Sequence, residues 1–136
     1  MKHIVLLLML TVGLVACTGN DDQPAAETPS EETSGDAEHG EELFRMGKGT
    51  EAPPCSTCHR VEEGGSGLAL GPGLEDIASR AATRVEGMSA EEYLRESILD
   101  PEAYEVSGYR VGMFSGYGEY FSGQDVADLV AYLLSL

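Results

Sequence analysis

The sequence Cys55-Ser56-Thr57-Cys58-His59 places two thiols and an imidazole within five consecutive residues. A C-x-x-C-H pentapeptide is the attachment signature of a c-type haem. The spacing suits that chemistry, because Cys55 and Cys58 are one helical turn apart and can reach the two vinyl groups of one macrocycle, while His59 can turn onto the iron. The pentapeptide therefore predicts one covalently bound haem c, attached through both cysteines, with His59 as an axial ligand of the iron.

Three other interpretations of the pentapeptide are a Cys55–Cys58 disulfide, half of a zinc site, and a chance match. A zinc site needs about four ligands, but the sequence has no second C-x-x-C, and its other histidines, His3 and His39, lie in an apolar leader and a polar tract. A thioredoxin-like dithiol needs a βαβ context, which the surrounding sequence does not supply. The residues therefore favour the haem interpretation.

The N-terminal apolar run from Ile4 to Ala16 is shorter than the roughly 20 residues that span a bilayer. Such a run is typical of a cleaved export signal, which we predict over residues 1–16. It ends in Leu14-Val15-Ala16-Cys17, which resembles the lipobox of bacterial lipoproteins and implies that Cys17 becomes a lipid-carrying N-terminus. The alternatives are an ordinary signal peptide with an incidental cysteine, or a short uncleaved anchor. We expect lipid anchoring to a bacterial membrane, with the haem domain facing the periplasm or the cell exterior.

Residues 17–36 are predicted to comprise the lipidated cysteine and a flexible acidic linker that follows it. From Thr18 onward this stretch has no long apolar side chain, so it cannot bury enough surface to offset the entropy lost on ordering. A flexible chain of about 20 residues has a root-mean-square reach of roughly 25 Å. The linker would therefore let the domain move above the membrane surface.

Acidic residues outnumber basic residues by 24 to 8, which gives a formal net charge of −16. Nine of the acids, and no lysine or arginine, fall within residues 18–42, and the remainder of the chain is also acidic. Such a surface is a poor partner for nucleic acid and suits a basic docking patch on a redox protein. Acidity retained for solubility explains the same composition. We therefore expect redox protein partners and no nucleic acid.

Helical patterns dominate residues 37–136, which we predict to be one small all-α domain with about four to five short helices wrapped round the haem. The predicted helices run from Glu38 to Gly47, from Leu74 to about Thr83, from a capping box at Ser89 to Asp100-Pro101, and from a capping box at Ser122 to near the C-terminus. The glycine-rich stretch 108–123 is predicted to be a loop that approaches the cofactor closely.

The second axial ligand of the iron separates electron transfer from small-molecule chemistry. Met1 and Met9 are removed with the predicted signal peptide. Met46 lies in the first predicted helix and is expected to pack in the protein core. We predict Met113, in the glycine-rich loop, as the ligand. Met88 and His39 are the alternative ligands. The structural alternative for Met113 is that it only fills a gap in the core.

The order of these parts resembles that of the class I cytochromes c. Gly40 and Phe44 look like the N-terminal helix of that family, and Leu129 with Tyr132 looks like the C-terminal helix that crosses it. Gly71-Pro72-Gly73-Leu74 resembles the turn after the haem motif, which implies that the Pro72 carbonyl accepts the Nδ1 proton of His59. Met113 is at the family's ligand position, although Phe114 follows it where many members have proline. Four residues are candidates to bind the haem propionates: Arg80, Arg84, Tyr109 and Arg110.

Two axial ligands from the protein would leave the iron no vacant site, so we predict electron transfer, with no small-molecule substrate and no haem-based catalysis. The expected function is that of a membrane-anchored monohaem carrier between respiratory or photosynthetic complexes, such as a quinol-oxidising complex or photosynthetic donor and a terminal oxidase. One alternative is a haem-bearing subunit fixed within a larger oxidoreductase complex. Others are a haem sensor or peroxidase with an open iron site, and an untethered periplasmic carrier.

Overall fold

The structure is a computed structural model that describes residues 34–65 and 68–136. The predicted signal peptide, the predicted lipid attachment at Cys17 and most of the predicted linker lie outside the described residues. No helix within the described ranges is long and apolar enough to cross a membrane.

Five α-helices and one 3₁₀ turn make up the regular structure of the described residues, which contain no β-strand. In chain order these are α1 (Ala37–Met46), the 3₁₀ turn (Cys55–Thr57), α2 (Ile77–Ala81), α3 (Ala90–Leu99), α4 (Tyr117–Tyr120) and α5 (Gly123–Leu134). A single antiparallel bridge pairs Lys48 with Ala52. The predicted all-α class, with four to five short helices, is confirmed.

The two capping boxes form as predicted. The Ser89 side chain accepts a hydrogen bond from the Glu92 backbone, and the Glu92 carboxylate accepts one from the Ser89 N–H, which fixes the start of α3. Ser122 and Asp125 make the same reciprocal pair at the start of α5. At α1, the Asp36 carboxylate accepts from two backbone N–H groups of the first turn. The two capping boxes involve only neighbouring residues, which is why the sequence predicts the starts of α3 and α5 well.

Two parts of the helix prediction were wrong in extent. The second helix begins at Ile77 rather than Leu74, because Asp76 has a left-handed backbone (φ +50°) that a helix cannot continue through. The glycine-rich stretch that was predicted to be a loop contains α4, a single turn that buries Tyr117. Both differences lie beside the cavity described below.

Helices α1 and α5 cross in close contact. A Cβ at Gly40 would overlap the Asp128 carbonyl and lie 2.9 Å from the Cβ of Tyr132, so the crossing needs a glycine there. The ring of Phe44 packs on that of Tyr132 with centroids 5.5 Å apart. These contacts match the crossing that the sequence resemblance implied. Met46, which was expected in the core, is instead 69% exposed, because it is turned away from the face that carries Gly40 and Phe44.

A polar cluster covers the outer side of this crossing. Asp128 of α5 is only 2% exposed, and its carboxylate accepts hydrogen bonds from the Asp36 backbone N–H, from Gln124 Nε2 and from His39 Nδ1, each 2.7 Å long. Burial alone would raise the pKa of Asp128, but these donors outweigh it and lower the pKa. The start of α1 is thus fastened to α5 through one buried carboxylate.

Candidate functional site

The residues predicted to attach the haem and to ligate its iron lie around an apolar cavity of about 500 Å³. Its inner wall is made by side chains from three helices: Phe44 of α1, Leu94 and Ile98 of α3, and Leu129 and Leu133 of α5. The volume falls in the range of roughly 300–1,000 Å³ typical of pockets that bury organic ligands. The apolar faces of the helices therefore enclose space as well as packing on one another.

The pentapeptide lies on the wall of this cavity, and both thiols line it. Pro54 leads into the 3₁₀ turn, and the Cys55 carbonyl then accepts hydrogen bonds from the backbone N–H groups of Cys58 (3.1 Å) and His59 (3.0 Å). Both cysteines are free of disulfide bonds. Burial raises the pKa of the Cys55 thiol to about 11, so the unattached thiol is protonated at neutral pH.

His59 is fixed in one tautomer by the turn that follows the pentapeptide. Its Nδ1 lies 2.8 Å from the Pro72 carbonyl oxygen, and because a carbonyl can only accept, Nδ1 carries the proton and Nε2 keeps its lone pair. Burial lowers the pKa of His59, and the hydrogen bond to Pro72 opposes only part of that effect. The imidazole is therefore a neutral ring with one nitrogen available for a metal.

Three backbone hydrogen bonds hold the turn and the residues just before it against the pentapeptide and Arg60, which follows it. They run from Leu68 N to Thr57 O (3.0 Å), from Gly71 N to Cys58 O (3.2 Å), and from Leu74 N to Arg60 O (2.6 Å). Gly71 packs on the imidazole so closely that a Cβ there would lie 2.5 Å from His59 Cε1. The turn thus aligns the Pro72 carbonyl with Nδ1 and uses a glycine to make room for the ring.

Met113 also lines the cavity and is 37% exposed. The alternatives considered from the sequence are elsewhere. Met88 is partly buried against the core outside the cavity, and His39 is bound to Asp128 on the outer side of the α1–α5 crossing. The cavity therefore brings together Cys55, Cys58, His59, Pro72 and Met113, and it leaves out Met88 and His39.

The four candidate propionate partners divide into two pairs. Tyr109 and Arg110 line the main cavity. Arg80 and Arg84 line a small polar recess with Thr83 and Tyr104, and Tyr104 also lines the main cavity. The Arg80 guanidinium donates to the Gly73 carbonyl at 2.7 Å and to the Glu75 carbonyl at 2.6 Å. By contrast, Nε of Arg84 is buried without a hydrogen-bond partner among the described residues.

Tyr117 is a cavity residue that the sequence reasoning missed. It is buried, and its hydroxyl donates to the Pro53 carbonyl at 3.0 Å. Local signals do not reveal this contact, since the two residues are 64 positions apart. A tyrosine among glycines, close after the candidate ligand Met113, is the one hint that the sequence offers.

These residues fit a covalently attached porphyrin. Two thiols one turn apart, a neutral imidazole beside them, an apolar cavity and a buried guanidinium N–H that lacks an acceptor are what such a group requires. The fold and the site therefore define a small all-α haem protein of the c type.

The comparison with protein families agrees with this class. A family model described as Cytochrome c matches residues 37–136. The chain belongs to the cytochrome c family. It binds haem c with its iron, with Cys55 and Cys58 positioned for covalent attachment, and it is a haem-based electron carrier.

Proposed function

We propose that this cytochrome carries single electrons between membrane-bound redox complexes, with His59 and Met113 as the two axial ligands of its haem iron. The observation that supports this assignment best is that both side chains line one cavity, whereas Met88 and His39 do not. When bound, the haem supplies a one-electron Fe(III)/Fe(II) couple. With both axial positions filled by these side chains, a substrate would find no free position on the iron.

The residues around His59 fix its ligand properties. The Nδ1–H bond to Pro72 leaves the Nε2 lone pair free to hold the iron and would raise the basicity of the imidazole as a ligand. Gly71 lets the ring lie against the turn, so the imidazole cannot rotate freely. A ligand held in this way would move little between the two oxidation states, which would lower the reorganisation that accompanies electron transfer.

As the second ligand, the thioether of Met113 would be a soft and weakly basic donor that favours the reduced state and raises the reduction potential. Apolar side chains such as Leu94 and Leu129 limit the access of water to the cavity, and this exclusion of water would also raise the reduction potential.

We assign one haem propionate to Arg84. Its buried Nε–H has no acceptor among the described residues, and leaving such a donor unpaired costs about 1–3 kcal/mol or more for a charged group. A carboxylate in the recess between Arg84 and Tyr104 would remove that cost. Arg80 is a weaker candidate, because its guanidinium already donates to two backbone carbonyls.

The proposed membrane attachment rests on the sequence alone, through a lipid on Cys17 and a linker that ends at residue 36. A tethered domain meets membrane-bound partners at high local concentration without tight docking. Its acidic surface suits partners with a basic docking patch, such as a quinol-oxidising complex, a photosynthetic donor or a terminal oxidase. Mass spectrometry of residue 17 tests the lipid, and co-purification with an oxidoreductase complex would favour a fixed subunit over a free carrier.

Optical spectra of the purified protein, oxidised and reduced, test the haem and its ligands. We expect a sulfur-to-iron charge-transfer band in the oxidised protein and no binding of carbon monoxide by the reduced protein. Met113→Ala should abolish the band and permit carbon monoxide to bind, whereas the matched variant Met88→Ala should do neither. Carbon monoxide binding by the unmodified protein would instead indicate an open iron site, as in a haem sensor or peroxidase.

A further inference from the structure

The segment that carries Met113 is weakly attached through its backbone. Between residues 104 and 115, no backbone group makes a backbone–backbone hydrogen bond with any described residue. The turn beneath His59, by contrast, is held by three such bonds. Side chains must therefore keep Met113 in position on its side of the cavity.

Tyr117 makes the contacts that could do this. The ring of Phe114, the residue next to Met113, packs edge-on against the Tyr117 ring with centroids 5.0 Å apart. The Tyr117 ring also stacks nearly parallel to the ring of Phe121, with centroids 5.2 Å apart. The Tyr117 hydroxyl donates to the Pro53 carbonyl, two residues before Cys55. One side chain thus links the Met113 segment, the residue that ends α4 and the segment that carries the first thiol.

Two further features favour a lasting link. Gly116 leaves room for the Phe114 ring to fold back, since a Cβ there would lie 2.5 Å from Phe114 Cζ. Burial, followed by the proximity of the Cys55 thiol, raises the pKa of Tyr117 well above its usual value of 10. The hydroxyl therefore stays protonated across the physiological range and remains a donor to Pro53.

We propose that Tyr117 is a positioning residue that holds Met113 on the haem iron by tying the ligand-bearing segment to the Pro53 carbonyl. This inference rests on the proposed ligation by Met113 and adds the element that maintains it. Opening of the segment would break the Tyr117–Pro53 hydrogen bond and separate Phe114 from the Tyr117 ring. Removal of either contact should therefore shift the equilibrium toward a state in which Met113 is off the iron.

Imidazole added to the oxidised holoprotein measures this equilibrium, because it binds the iron only when Met113 has left. Its apparent Kd is inversely proportional to the fraction of the open state when that fraction is small. Tyr117→Phe keeps the ring and removes the hydroxyl, and loss of one hydrogen bond should lower the Kd about 5- to 10-fold. Tyr120→Phe is the matched control. Tyr120 stacks on Phe114 with ring centroids 6.4 Å apart, but its hydroxyl makes no hydrogen bond with any described residue. The Kd of Tyr120→Phe for imidazole should therefore stay at the value of the unmodified protein.

A second variant protects the test against a failure of Tyr117→Phe to fold. Phe114 is 37% exposed, so Phe114→Leu should mature normally while weakening the contact with the Tyr117 ring. We expect its Kd for imidazole to fall about 2- to 5-fold. If both variants bind imidazole as the unmodified protein does, or if they lower only the global unfolding free energy, Tyr117 does not position the ligand. Absence of the charge-transfer band in the unmodified protein would instead refute the ligation by Met113 itself.

Discussion

His39 Nδ1 lies 2.7 Å from the Asp128 carboxylate and joins the first turn of α1 to the middle of α5. Asp128 is almost completely buried, whereas His39 is partly exposed. The hydrogen bond to Asp128 is the main cause that raises the pKa of His39 above its usual value of 6.5, and it exceeds the opposing effect of desolvation. The crossing that forms the back of the cavity thus includes a histidine whose pKa is raised by a buried carboxylate.

This pair should make stability depend on pH in a defined direction. Because the pKa of His39 is raised in the folded protein, its contribution is fully present below about pH 6.5, the unfolded value, and is lost as the pH rises through the folded value. Because the pKa of Asp128 is lowered in the folded protein, its contribution to stability is present above the ordinary carboxyl pKa and is lost only in acid, as the pH falls through the folded value. Denaturant unfolding of the holoprotein and of His39→Gln should therefore differ most below about pH 6.5 and progressively less as the pH rises through the folded pKa of His39. A difference that stays constant, or grows, with rising pH would contradict this assignment.

Replacement of the buried carboxylate should cost more than loss of a surface charge. Asp128→Ala leaves the Asp36 N–H, Gln124 and His39 without their acceptor, and we expect a loss of about 2–4 kcal/mol of unfolding free energy. Glu86→Ala removes the same charge from an exposed site and should change stability by less than about 0.5 kcal/mol. Equal effects of the two variants in chemical denaturation would show that the network does not contribute.

The α1–α5 crossing should not tolerate a methyl group at Gly40. A Cβ there meets the Asp128 carbonyl, which is part of a helix backbone and cannot move aside, so Gly40→Ala should destabilise the protein by about 1–3 kcal/mol despite the better helix propensity of alanine. Gly123→Ala is a suitable control, because a Cβ at Gly123 meets nothing within 4 Å. Thermal unfolding should rank Gly40→Ala below both the control and the unmodified protein.

Gly71→Ala should alter the haem electronically as well as the stability of the fold. The new methyl group would push His59 away from the turn and weaken its hydrogen bond to Pro72. A less basic imidazole stabilises the oxidised iron less, so we expect a higher reduction potential. Gly118→Ala, whose Cβ would make an ordinary 3.4 Å contact with Leu99, serves as the control in the same redox titration. An unchanged reduction potential in Gly71→Ala would show that Gly71 does not influence the ligand properties of His59.

Arg84→Gln should lower the reduction potential, because a positive charge beside a propionate favours the reduced haem. We expect a decrease on the order of 20–60 mV, which corresponds to about 0.5–1.4 kcal/mol for a one-electron couple. Arg95→Gln provides a matched loss of charge at a side chain that pairs only loosely with Glu91, at 4.0 Å, on the surface of α3. If the two variants shift the potential equally, the effect is one of net charge and Arg84 has no special role.

How far the sequence could predict the structure depended on the range of the interactions. The starts of α3 and α5 were predictable, because Ser89 and Ser122 bond to residues three positions away. The pentapeptide was also local, and its spacing alone indicated the cofactor. The early start predicted for the second helix came from reading the apolar period through Asp76, whose left-handed backbone the pattern does not report.

The parts that escaped prediction depend on residues distant in the chain. The Tyr117–Pro53 hydrogen bond and the His39–Asp128 pair bridge 64 and 89 positions, and no periodicity encodes either. His39 was treated as a possible iron ligand because its alternative partner, Asp128, was not recognisable in the sequence. Met46 was placed in the core because it lies in the first helix, only nine positions before Cys55, although the buried face of α1 uses Gly40, Leu43 and Phe44.

The contrast between the two walls of the cavity bears on how the cytochrome is assembled. The wall with the two thiols and His59 is built from residues close in sequence and is braced by main-chain bonds. The wall with Met113 makes no such bonds with the described residues, so opening this wall would leave the packing of α1, α3 and α5 intact. Such an open side would admit the cofactor to the two thiols, and placement of Met113 would then be the last step of biogenesis.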